Sequence, residues 1–124
     1  MEHMIAVRGA TTVACDTREE IEKKTAELAR ELARRNGIGK AGVRCVCVHI
    51  STTQDIRSFY PARALRESGW IDAPLFSCAE PDIAGALPLC IRIMLLLACE
   101  EGVKAQHVYL HGAAALRPDL SEKQ

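Results

Sequence analysis

Apolar and polar positions alternate along parts of this chain in the manner of β-strands. The clearest stretch is Leu89–Cys99, which is apolar apart from Arg92. It is too short to cross a bilayer and carries a charge, so it predicts a buried strand at the centre of a sheet. Because side chains alternate along a strand, Arg92 would share a face with Met94 and Leu96. A guanidinium on a mostly apolar face needs an anionic partner, either a carboxylate in a structural ion pair or an anion from outside.

Two segments show the period of a helix instead. Thr17 opens a capping-box pattern, and the apolar stripe that follows it continues to about Arg35. The many charges of this segment indicate a solvated outer face. A shorter helix is expected from Pro61, which suits a first turn, to Gly69, which suits a helix end.

Short alternating or apolar segments predict four further strands, at Met4–Arg8, Val43–Ile50, Ala73–Cys78 and Gln106–Leu110. Gly9 and the threonines after it predict a turn, which would place Arg8 at the rim of the sheet. The order of elements predicts an α/β (α+β) fold, a mixed β-sheet with helices on one face. The face without helices must be buried elsewhere, so we expect an oligomer.

Composition narrows the kinds of partner. With 124 residues, a single domain spanning residues 1–124 is expected. Sixteen basic and sixteen acidic residues balance, and aromatic residues make up 4% of the chain, so we expect neither a nucleic-acid surface nor a membrane-binding patch. The first residues show no export signature, and a cytoplasmic location is expected.

Cysteines and histidines do not form a recognisable chemical motif. The six cysteines include no CxxC pair and predict reduced thiols in the core, with Cys45 and Cys47 on the same face of a strand. The histidines lack metal-site spacing, because the VYL segment between His107 and His111 favours a strand. We therefore expect no metal.

Arginines are the more informative residues. Five of them lie at the ends of predicted elements or inside apolar runs: Arg8, Arg63, Arg66, Arg92 and Arg117. The planar guanidinium pairs bidentately with carboxylates, so these residues suit a small acid. Glu80, in the loop before the Arg92 strand, is the natural partner of Arg92 within the protein. Walker, GxSxG and HExxH motifs are absent from the sequence.

Seven segments together resemble one known family. They are RGATT at Arg8–Thr12, DTREEI at Asp16–Ile21, FYPARALRESGW at Phe59–Trp70, EPD at Glu80–Asp82, CIRIM at Cys90–Met94, HVYL at His107–Leu110 and LRPDL at Leu116–Leu120. The chain is similar to the monofunctional chorismate mutases of the AroH class. The resemblance implies a homotrimeric pseudo-α/β-barrel with active sites between subunits. It also implies the cofactor-free [3,3] rearrangement of chorismate to prephenate in the shikimate pathway, toward the aromatic amino acids Phe and Tyr.

The resemblance also implies roles for individual residues. Arg92 would face the ether oxygen, on which negative charge grows as its bond breaks. Glu80 would accept a hydrogen bond from the ring hydroxyl, while Arg8 and Tyr109 would hold the side-chain carboxylate.

Further residues would surround these four. Tyr60 and Ala62 would form a wall, Arg63 would supply a flanking charge where the family usually has lysine, and Arg66 would lie near the mouth. Ser77 aligns with a cysteine of the family, although an alternative register places Cys78 there. Leu116 and Arg117 would belong to a mobile C-terminal tail spanning about residues 112–124.

Two other functions are compatible with the same arginines. One is a non-catalytic trimeric module that binds a carboxylate metabolite. The other is a small trimeric enamine or imine deaminase with an arginine at its interface. Glu80 together with the RPDL segment favours the mutase, since a deaminase leaves both unexplained.

Overall fold

Strands and helices alternate along residues 2–117, the part of the chain that the computed structural model describes. In chain order the elements are β1 (Glu2–Thr12), α1 (Arg18–Asn36), β2 (Val43–Thr52), α2 (Pro61–Ser68), β3 (Leu75–Ala79), β4 (Cys90–Glu100), β5 (Val108–Tyr109) and the 3-10 helix η1 (His111–Leu116). None of the helices in this part is long and apolar enough to cross a membrane.

The strands form one mixed sheet in the order β3-β2-β4-β1-β5. The central strand, β4, runs antiparallel to both β1 and β2, while β3 and β5 lie parallel to their neighbours at the two edges. The apolar run around Arg92 is therefore the central strand, as its pattern predicted.

The helices cover one face of this sheet. Ile91 and Leu95 of β4 are fully buried and belong to the same core as Ile21 and Leu28 of α1 and Leu65 of α2. On the opposite face of β4, Arg92 and Met94 are exposed. The predicted mixed sheet with helices on one face is confirmed, because the period of two in β4 separates the two environments.

The ends of α1 follow their local sequence. The Thr17 hydroxyl accepts a hydrogen bond from the Glu20 N–H (3.2 Å), and Gly37 adopts a left-handed conformation with φ 67° after the last turn. The Glu20 carboxylate accepts from the Ala14 N–H at 2.8 Å. The Thr17 and Gly37 caps satisfy backbone groups that a helix end leaves open.

Strand β1 is longer than predicted. It pairs with β4 from Glu2 to Thr12, so the expectation of a turn after Arg8 is wrong and Arg8 lies within the strand. A Cβ added at Gly9 would come within 3.0 Å of Leu32 Cδ1. Gly9 thus allows α1 to lie close against β1, rather than reversing the chain.

Strand β5 is shorter than predicted, since only Val108 and Tyr109 pair with β1. Just before it, the backbone of Gln106 bonds to the buried side chain of Asn36. Asn36 Oδ1 accepts from the Gln106 N–H (2.9 Å), and Asn36 Nδ2 donates to the Gln106 carbonyl (3.0 Å). The side chain from α1 therefore replaces a strand partner.

Cys45 and Cys47 lie on opposite faces, contrary to the prediction. Cys45 is paired with Leu97 and Cys47 with Leu96, because a β-bulge at Val46 inserts one extra residue. All six thiols are free, but the prediction of core positions holds only in part, since Cys15 and Cys78 are exposed.

Residues 111–116, at the start of the predicted mobile tail, form η1. The RPDL segment beyond Arg117 lies outside the described residues. The single domain over residues 1–124 and the mobility of its tail stay predictions.

Candidate active site

Arg92 has the partner that its position requires. Its Nε lies 3.1 Å from Glu80 Oε2, which also accepts a hydrogen bond from Ser51 Oγ at 2.9 Å. The Arg92 side chain is 44% exposed and that of Glu80 is 18% exposed. The predicted internal ion pair is confirmed, and the guanidinium still faces open space.

Two backbone contacts hold Glu80 in place directly after β3. Its N–H donates to the Thr52 carbonyl at 2.9 Å, and its carbonyl accepts from Gln54 Nε2 at 3.1 Å. The Glu80 backbone is therefore fixed by residues at and just after the end of β2. Such a preorganised acceptor loses little freedom when it binds a ligand.

The entry into β4 is also anchored. Leu89 adopts φ 51°, a conformation that costs a residue with a Cβ about 1 kcal/mol. Its N–H donates to Asp55 Oδ2 at 2.9 Å, and its carbonyl accepts from the Val13 N–H at 3.0 Å. These contacts fix the chain three residues before Arg92.

A cavity of about 390 Å³ lies beside Arg92 on the face without helices. The predicted site residues that line it are Arg8, Arg92, Tyr109, Leu116 and Arg117. They come from β1, β4, β5 and the end of η1, and sheet pairing places Ala10 beside both Arg92 and Tyr109. The sheet thus gathers residues that are far apart in sequence around one space suited to an anion.

Other predicted residues lie elsewhere in the chain. Tyr60 and Arg63 line a second cavity of about 710 Å³, and Ala62 and Arg66 line a third of about 560 Å³. Ser77 lines both of these and is absent from the Arg92 cavity. Within one chain, these five side chains do not join the Arg92 site.

The structure separates Ser77 from Cys78. Cys78 is paired with Ser51 across β2 and β3, and Ser51 with Arg92 across β2 and β4, so all three lie on one face. Ser77 is paired with Ile50 and faces the other way. In a single subunit, Cys78 is therefore the one that lines the Arg92 cavity.

Arg63 contacts two side chains of its own chain. Its Nε donates to Glu67 Oε1 at 2.9 Å, and its guanidinium lies 5.4 Å from the centre of the Phe59 ring. Arg18 lies 4.4 Å from the same ring. The cavity that Arg63 lines also includes Arg18 and Arg57, so it is more basic than the sequence suggested.

Sequence reasoning missed several residues that line the Arg92 cavity, including His49, Ser51 and Met94. Met94 was predicted to share a face with Arg92, but it was not assigned to the site. Ser51 and His49 could not have been found, because their place depends on the register between β2 and β4.

The Cys90 thiol is one titratable group near Arg92. Burial raises the pKa of the Cys90 thiol to about 11, although Arg92 acts in the opposite direction. This thiol stays protonated at neutral pH and is a poor nucleophile. Among residues 2–117, no three His, Cys, Asp or Glu side chains are grouped as metal ligands.

Comparison with known proteins identifies the family. The chain matches the sequence model of chorismate mutase type I over residues 4–120. The chain belongs to the chorismate mutase type I family. Chorismate mutase AroH of Bacillus subtilis (strain 168) is 40% identical over 117 residues, which are 93% of this chain and 91% of that protein. Chorismate mutase AroH of Thermus thermophilus is 38% identical over 119 residues, 95% and 97% of the two chains.

A solved structure agrees with the sequence matches. A chorismate mutase from Clostridium thermocellum superposes with a TM-score of 0.74 at 34% identity, covering 90% of this chain and 98% of that one. The family that the motifs predicted is therefore confirmed, and with it the assignment as an isomerase of aromatic amino acid biosynthesis. These matches favour a chorismate mutase over the two alternatives, a carboxylate-binding module and a deaminase.

Proposed function

We propose that this chorismate mutase converts chorismate to prephenate in the Arg92 cavity, without a cofactor and by charge and shape alone. The observation that carries the proposal is Arg92, which lines the cavity while its Nε is paired with Glu80, a residue outside the cavity lining. A guanidinium has five N–H donors, and the contact with Glu80 uses one of them. Others remain for an anionic ligand.

The reaction needs little else from the protein. Within one molecule an ether C–O bond breaks and a C–C bond forms, with no proton or electron transferred. Negative charge grows on the ether oxygen because bond breaking leads bond formation. A preorganised guanidinium stabilises that charge more strongly in the transition state than in the substrate, and this difference lowers the barrier.

Binding would select the reactive shape of the substrate. Arg8 and Tyr109, which line the cavity, would hold the side-chain carboxylate, and Glu80 would accept from the ring hydroxyl. Leu116 and Arg117 would close the cavity over the ligand. Holding both ends of the molecule favours the diaxial conformer, in which the two reacting carbons can meet.

A complete site would need a second copy of the chain. Tyr60, Ala62, Arg63, Arg66 and Ser77 lie outside the Arg92 cavity of their own chain. Tyr60 is 75% exposed and Phe76 is 65% exposed, as is typical of an interface. We propose a homotrimer in which these side chains complete the cavity of the neighbouring subunit. A cytoplasmic location stays a prediction from the sequence.

The activity test is direct. Purified protein is added to chorismate, loss of the diene absorbance is followed, and acid converts the prephenate formed to phenylpyruvate as the product check. Rapid turnover without added cofactor supports the proposal. A folded oligomer that does not convert chorismate would contradict it.

The shared site is tested by mixing subunits. Arg92→Leu and Arg63→Glu chains, carrying different tags, are expected to be nearly inactive alone and to regain activity when co-expressed and purified as mixed oligomers. The matched control places both substitutions in one chain, which stays inactive. Mixed oligomers without recovered activity would indicate that each site lies within a single chain.

A further inference from the structure

The Arg8 N–H donates to a side chain, while Arg8 is paired with Met94 of β4 on the other side of β1. The Arg8 N–H donates to His107 Nδ1 at 3.0 Å. Immediately after this point the regular pairing of β1 with β5 begins, with Gly9 beside Val108 and Ala10 beside Tyr109. The imidazole thus takes the position of a backbone carbonyl of the neighbouring strand. Its partner, Arg8, is the charged residue of β1 that lines the Arg92 cavity.

Both neighbours of His107 are fixed. On one side, Gln106 is bonded through its N–H and its carbonyl to Asn36 of α1. On the other side, Val108 is fully buried in the core. The ring therefore meets the Arg8 N–H from an anchored backbone.

We propose that His107 is a positioning residue for Arg8: its neutral ring holds the Arg8 backbone through Nδ1, and so sets where the guanidinium enters the cavity. The inference rests on the role proposed for Arg8. His107 itself would not touch the substrate.

This role requires one form of the ring. Nδ1 can accept a hydrogen bond only when the proton is on Nε2, and a protonated ring presents an N–H to the N–H of Arg8. Protonation would break the contact and add a positive charge near two guanidiniums. Substrate binding would then weaken as the strand position of Arg8 relaxes.

The surroundings keep His107 neutral. Partial burial is the main cause that lowers its pKa below the usual 6.5, and the charges of Arg8 on β1 and Arg117 after η1 lower it further. Asn36 of α1, which is bonded to the backbone of the neighbouring Gln106, is uncharged. His111 on η1 faces Glu27 of α1 at 2.7 Å instead. The contact is therefore intact at neutral pH and is lost only in acid.

The test compares two variants. His107→Asn places an oxygen near the position of Nδ1 and does not titrate, whereas His107→Leu has no acceptor. His3→Leu is the matched control, since His3 lies on β1 with Arg8 and its Nδ1 has no hydrogen-bond partner within residues 2–117. The constants kcat and KM for chorismate are measured from about pH 5 to about pH 8, the range in which histidines titrate.

We expect His107→Leu to lower kcat/KM by on the order of 10-fold, mainly through KM, because a small displacement of a binding group is costly. His107→Asn should keep most of the activity and lose the acid limb that the wild type shows below the pKa of His107. Two-dimensional ¹H–¹⁵N spectra should show the ring protonated on Nε2. A wild-type value of kcat/KM in His107→Leu, or an unchanged acid limb in His107→Asn, would overturn the inference.

The variant Arg8→Gln distinguishes a wrong role for Arg8 from a wrong inference about His107. If that variant binds chorismate normally, the role of Arg8 is wrong whatever His107 does. If Arg8→Gln raises KM while both His107 variants behave like the wild type, only the inference about His107 falls. Should His107→Leu not fold, the pH profile of His107→Asn against the wild type still decides.

Discussion

Replacing Arg92 by citrulline separates its charge from its shape. Citrulline exchanges one terminal nitrogen for oxygen and keeps the Nε–H, which is the group that lies 3.1 Å from Glu80 Oε2. The side chain can therefore keep its contact and its direction into the cavity. What the substitution removes is the positive charge.

The structure predicts that citrulline at position 92 changes stability little and the rate strongly. Because Arg92 is 44% exposed, its ion pair with Glu80 contributes at most about 1 kcal/mol to folding. A preorganised donor aimed at developing charge is worth about 3 to 4 kcal/mol in the transition state, or roughly 10²- to 10³-fold in kcat. We therefore expect a large loss of turnover with a small change in the thermal midpoint.

The assay is steady-state loss of chorismate absorbance, with thermal unfolding measured on the same samples. Citrulline at Arg44 is the control, since that exposed side chain lies 3.9 Å from Glu2 in a surface ion pair. It should leave kcat unchanged. If citrulline at position 92 retained kcat within about threefold, charge stabilisation by Arg92 would be refuted, because the expected loss is at least 10²-fold.

Three further predictions concern pH and stability. The chemical step should proceed at a nearly constant rate across neutral pH, since no proton is transferred; a bell-shaped profile would indicate acid–base catalysis instead. Hydrogen bonds from Arg34, and then from Arg35, lower the pKa of Glu31 from 4.5 to about 2, so its contribution to stability is present above about pH 4.5 and is lost as the pH falls toward 2. Glu31→Gln should accordingly cost about 1 to 2 kcal/mol in urea unfolding at pH 7, and this difference should shrink in acid. Gly9→Ala should destabilise the fold by about 1 to 3 kcal/mol in the same assay, because its Cβ would come within 3.0 Å of Leu32; an unchanged midpoint would mean that α1 shifts freely.

Local sequence was enough where the forces are local. The cap at Thr17 and the alternation around Arg92 were both predicted, since each depends on a residue's own backbone preference or on burial of one face. The extent of β1 was not, because pairing with β4 over its whole length outweighs the turn preference of Gly9.

The candidate site divides in the same way. Arg92 and Glu80 could be paired from the sequence, since a charge inside an apolar run needs a partner nearby. The motifs identified Arg8 and Tyr109 as site residues. They could not show that His107 accepts a hydrogen bond from the Arg8 N–H, because that bond joins residues 99 positions apart. Nor could the sequence decide that Cys78 and not Ser77 faces Arg92 within one chain.

The sequence by itself determined the family, the central strand and the identity of the charges, because motifs, side-chain period and charge are properties of the chain alone. Tertiary structure decided which side chains share a cavity. That outcome depends on strand register and on the bulge at Val46, where a shift of one residue turns every later side chain to the other face. The register depends on how strands distant in sequence fit together, so no single segment decides it.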